Sequence, residues 1–63
     1  MAQRKVFSDE NGKELAYHIT SGGKLRIEIY TADGTSIIDL DKTDSLSFIQ
    51  ELNKLKKQLR DEN

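Results

Sequence analysis

Between residues 11 and 34 the chain is cut three times by glycine turn signals, Asn11-Gly12, Ser21-Gly22-Gly23 and Asp33-Gly34, and the segments between them alternate. Asn, Asp and Gly tolerate the positive φ that tight hairpin turns require, which makes these the strongest short-range hairpin signals. Leu15, Tyr17 and Ile19 alternate with Glu14, Ala16, His18 and Thr20, and Leu25, Ile27 and Ile29 alternate with Lys24, Arg26, Glu28 and Tyr30. A period of two belongs to a strand with one buried face. The pattern therefore predicts an antiparallel meander.

Directly opposed residues of an antiparallel pair share a face, so each turn can be tested against the alternation. A two-residue Asn11-Gly12 loop opposes Val6 to Tyr17 and Ser8 to Leu15, and a two-residue Asp33-Gly34 loop opposes Ile29 to Ile38 and Ile27 to Leu40. For the middle hairpin a two-residue loop would set Ile19 against Arg26, whereas a three-residue loop, Ser21-Gly22-Gly23, pairs Ile19 with Leu25, Tyr17 with Ile27 and Leu15 with Ile29. The three-residue loop is expected, with a glycine in the left-handed region. One face then carries the rows Val6-Tyr17-Ile27-Leu40 and Ser8-Leu15-Ile29-Ile38. The other carries Lys5-His18-Arg26-Asp41, Phe7-Ala16-Glu28-Asp39 and Asp9-Glu14-Tyr30-Ile37.

After Leu40 a polar link leads into a segment free of glycine and proline and rich in helix formers. Asp44 is the expected N-cap; Ser47 with Gln50 also satisfies the capping-box pattern. Phe48, Leu52, Leu55 and Leu59 form a stripe that Leu46 and Ile49 widen to the breadth of a helix packed on a sheet. The expected fold is α+β: a four-stranded antiparallel sheet (strands about 4–10, 13–20, 24–32 and 35–41) with one C-terminal helix, about 44–61, on one face. All 63 residues make a single domain.

A chain this short buries only about 60% of the surface its unfolded form exposes, and small domains commonly need disulfides, a metal or a partner subunit. With no cysteine and one histidine, His18, the first two are out of reach, which leaves self-association. The helix stripe at Phe48, Leu52, Leu55 and Leu59 outruns the strands and is the expected dimer or partner interface. No apolar run approaches a signal-peptide core or a membrane span, so the chain is expected to be cytoplasmic and free of membrane.

Catalytic patterns are absent: no serine sits in a nucleophile elbow, the Ser21-Gly22-Gly23-Lys24 turn lacks the length and following helix of a phosphate loop, and Asp39, Asp41 and Asp44 lack a calcium loop's glycine and terminal glutamate. The expectation is a non-catalytic module without cofactor or metal. Net charge is −1, and its distribution is uneven: five basic and four acidic groups in residues 1–30, one and four in 31–44, four and three in 45–63. Phe7, Tyr30 and Ile37 on the outward face beside Lys5, Lys24 and Arg26 suggest a contact surface. Aromatics stack bases while cations meet phosphates, with His18 adding charge when protonated. Single-stranded DNA or RNA bound on this open face is therefore the leading expectation, and the alternative is a protein-interaction module, a small regulator or inhibitor, using the same patch or the helix stripe.

The passage Ser36-Ile37-Ile38-Asp39-Leu40, through a polar turn into Phe48-Ile49-Gln50-Glu51-Leu52, together with the order ββββα, resembles the PC4-type transcriptional coactivator, Whirly and PUR-type modules. The resemblance implies a curved four-stranded sheet followed by a helix, a homodimer, and single-stranded DNA or RNA bound on the sheet. It carries over Lys5, Phe7, Arg26 and Tyr30 as binding candidates.

Overall fold

A computed structural model describes residues 5–61, Lys5 by its backbone only. Four strands, β1 (Lys5–Ser8), β2 (Glu14–Ile19), β3 (Leu25–Thr31) and β4 (Gly34–Leu40), form one antiparallel sheet in the order β1-β2-β3-β4, and α1 (Lys42–Leu55) follows. The chain is α+β with the ββββα order that the turn signals imply.

The middle hairpin pairs as the alternation requires: Ile19 faces Leu25, Tyr17 faces Ile27 and Leu15 faces Ile29. Its loop is Ser21-Gly22-Gly23, closed by the Gly23 amide on the Thr20 carbonyl at 2.9 Å, with Gly23 at φ +82°. The Lys24 amide also donates to Thr20 Oγ1 at 3.1 Å.

The first hairpin departs from the two-residue loop. Its register is Lys5 to Tyr17, Val6 to Ala16, Phe7 to Leu15 and Ser8 to Glu14, one residue away from the expected pairing. Asp9 is the cause. Its Oδ1 accepts from the Asn11 amide at 2.9 Å and the Lys13 amide at 2.8 Å, and its own amide donates to the Lys13 carbonyl at 2.9 Å. This side-chain turn makes Glu10-Asn11-Gly12 a three-residue loop with Gly12 at φ +82°, the same construction as the middle hairpin. A slip of one residue exchanges the two faces of a strand. Phe7 therefore joins Leu15 and Tyr17, and Val6 joins Ala16.

The third hairpin also shifts, but by two. Its loop is Ala32-Asp33, and the pairs are Leu25 with Leu40, Ile27 with Ile38, Ile29 with Ser36 and Thr31 with Gly34. Thr31 Oγ1 accepts from the Asp33 amide at 3.2 Å, which tightens the loop one position earlier than the Asp33-Gly34 signal suggests. An even shift leaves every side chain on its expected face.

Asp41, not Asp44, caps α1: its Oδ1 accepts from the Asp44 amide at 2.8 Å. The helix thus starts at Lys42. It ends at Leu55 and tightens into a 3₁₀ turn over Lys56–Gln58, short of the expected residue 61. Leu59 lies beyond it and is 79% exposed.

α1 meets the sheet chiefly at β4. Among the described residues Ala16 is the one buried hydrophobic residue, and no large side chain is fully enclosed. The radius of gyration is 13.4 Å, against roughly 10.6 Å for a compact chain of this length.

Candidate functional site

The helix leans over the sheet without closing on it. Phe7 of β1, Leu15 and Tyr17 of β2, and Leu25 and Ile27 of β3 face Phe48, Ile49 and Leu52 of α1 across a groove of about 360 Å³. Every one of these side chains is apolar or aromatic. The alternation of β2 and β3 supplies the floor, since odd-numbered residues all project to this inner face, and the Asp9 turn adds Phe7 to it. The rings of Phe7 and Tyr17 stack with centroids 6.1 Å apart and planes inclined by 23°. Such pairing adds about 0.5–1.5 kcal/mol beyond burial and sets the two rings side by side along the groove.

The opposite, outer face is built differently. Its rows are Val6-Ala16-Glu28-Ile37, Ser8-Glu14-Tyr30-Thr35 and His18-Arg26-Asp39. Arg26 grips Asp39 with two hydrogen bonds, Nε to Oδ1 at 2.8 Å and Nη2 to Oδ2 at 3.0 Å. These bonds, with the mutual charge attraction, hold the Asp39 carboxyl below its usual range and raise the Arg26 guanidinium further. His18 lies half-buried between strands, its Nδ1 screened from water without a hydrogen-bond partner.

These placements sort the residues expected to bind. His18, Arg26 and Tyr30 share the outer face, Lys24 ends the middle hairpin loop just before β3, and Phe7 stands on the inner face. The expectation that Phe7 accompanies Tyr30 is thus corrected by the one-residue slip of β1. Lys5 shares the register row of Tyr17, not that of His18, and its side chain lies outside the described residues. Arg26 is engaged by Asp39, so the outer face presents a neutralised pair where a free cation was expected. Phe48 and Leu52 reach the groove; Leu55 ends α1 and Leu59 falls past it.

Leu15, Tyr17, Leu25, Ile27 and Ile49 complete the groove but were expected to be ordinary core. Their period-two signal is the correct one for an inward face. Nothing in it records that the covering helix stands off.

Among the described residues no three His, Asp or Glu side chains gather as a metal site, and no helix is long and apolar enough to cross a membrane. No family model matches the chain, and neither a curated protein nor a solved structure does.

Proposed function

We propose that the chain is a small non-catalytic protein-interaction module that takes an apolar helical partner into the groove between α1 and the inner face of its sheet. The carrying observation is the groove itself: five inner-face side chains and three from α1 line it, all aliphatic or aromatic and none of them charged. Ile38 and Phe7, also on this face, are each 54% exposed. Contiguous apolar surface of this kind marks interaction sites, and a helix laid into an apolar groove is a recurring mode of recognition.

The single-stranded nucleic-acid reading draws less support. It needs aromatics and cations on one open face, and the register separates Phe7 from Tyr30 while Asp39 occupies Arg26. Beside that pair, Glu14 and Glu28 add two negative charges to the same face, which leaves little net attraction for phosphate.

Methyl NMR during titration with an amphipathic helical peptide bearing a leucine stripe tests the proposal, alongside anisotropy of a labelled single-stranded oligonucleotide at low salt. Saturable shifts at Leu15, Ile27 and Leu52 with no oligonucleotide binding are expected. Micromolar oligonucleotide binding that is lost in Arg26→Glu, with the inner-face methyls unmoved, would replace this reading with the nucleic-acid one.

A further inference from the structure

We infer that the occupant of the groove is a second copy of this chain, with α1 of each copy lying across the inner face of the other. The inference rests on the groove being an interaction surface and names its partner.

Exposed area points to a subunit-sized interface. The chain exposes 5810 Å². A folded monomer of 7.2 kDa exposes roughly 4,100 Å². The excess is well over roughly 800 Å², which is what one partner contributes to a stable interface. Val6 and Ile37 are exposed apolars of the outer face, but the inner face exposes Phe7, Tyr17 and Ile38, and α1 exposes Leu46, Ile49 and Leu52. These form two unfilled surfaces, a sheet face and a helix stripe, on one chain. A two-fold axis satisfies both with a single set of residues, because each copy's helix stripe covers the inner face that the partner's own standing-off helix leaves open.

Charge favours the same arrangement. The 3₁₀ turn that ends the helix carries Lys56 and Lys57, while its start carries Asp41 and Asp44 around Lys42. Two α1 segments related by a two-fold axis and crossing antiparallel place the basic end of each beside the acidic start of its partner. The helix dipoles then run head to tail in the favourable sense. At about 21 Å, the 14 residues of α1 are long enough to cross four strands spaced about 4.8 Å apart.

Sedimentation equilibrium on the full-length chain, combined with isotope-filtered NOE spectra on a mixture of labelled and unlabelled protein, decides the matter. A dimer is expected, with intermolecular NOEs from Leu52 and Leu55 methyls to Leu15 and Ile27. Leu52→Lys is expected to weaken it roughly thirtyfold or more. Because the NOE experiment uses the unaltered chain, a variant that fails to fold does not compromise it. A monomer that still binds the leucine-stripe peptide would overturn the second-copy proposal and leave the interaction module standing. A monomer whose α1 shows only intramolecular NOEs to its own sheet, and which binds no peptide, would overturn both. A dimer whose intermolecular NOEs lie on Tyr30 and Ile37 would overturn the exchanged-helix arrangement.

Discussion

The two faces of the sheet close themselves by different means. The outer face mixes paired polar groups with few apolar ones: Ala16 at its centre is 0% exposed between Val6 and Glu28, the Arg26–Asp39 fork ties β3 to β4 beside it, and Val6 and Ile37 stand exposed at the two ends of the row. The inner face carries the larger apolar side chains and yet stays open, with Ile38 54% exposed and the helix holding off at the groove. A face whose exposed apolar groups are few and set apart by polar ones gains little from a lid. A face of Leu, Ile and Phe does, since each such side chain gains about 1.5–3 kcal/mol from full burial.

Ile27→Ala is the sharpest way to break that contrast. If a partner covers the inner face in solution, the substitution removes packed volume and costs about 2–5 kcal/mol by urea denaturation at high protein concentration. On an open face the loss would be under about 1 kcal/mol, and the contrast would reduce to two exposed surfaces of different polarity. Ala16→Leu probes the other side. The site is already full, so overpacking is expected to cost about 1–3 kcal/mol, independent of protein concentration. A concentration-dependent loss there would mean that the outer face, too, is covered by another chain.

Asp41→Ala separates the helix from the sheet. Losing the cap on the Asp44 amide should cost about 1 kcal/mol, and in an exchanged dimer it should lower association as well as helicity, read together by circular dichroism and sedimentation. The smallest effect concerns the outer-face ion pair. Asp39 has a lowered folded pKa, caused first by its hydrogen bonds from Arg26, so the pair stabilises the chain fully above the unfolded carboxyl value near 3.9. That contribution is lost as pH falls through the lowered folded value. Thermal unfolding of Asp39→Asn should accordingly be less sensitive than the parent to acidification below about pH 4. Equal acid sensitivity would show that the exposed pair contributes nothing measurable.

Much of the architecture could be read from residue types. Strand identity in β2 and β3 followed from strict alternation, and the middle hairpin followed because only a three-residue loop keeps Ile19 off Arg26. The first hairpin escaped that reasoning. Both registers of β1 place an acceptable residue inward, Val6 in one and Phe7 in the other, so alternation cannot choose between them. The Asp9 carboxylate chooses by bonding two amides within the loop. An acidic residue two positions before Asn-Gly was the available signal. The same slip moved Phe7 away from Tyr30, and with it half of the expected stacking surface.

What the linear chain determined by itself is local: which segments are strands, where the backbone turns, that a helix follows, and that two apolar stripes exist. These depend on periodicity and on turn and cap chemistry among near neighbours. The tertiary structure decided which face Phe7 occupies, that Arg26 is spent on Asp39, and that the two stripes face each other across an unfilled groove. Such outcomes depend on pairing between residues distant in sequence, where a one-residue shift or a few ångströms of helix stand-off changes the surface while leaving every local preference satisfied.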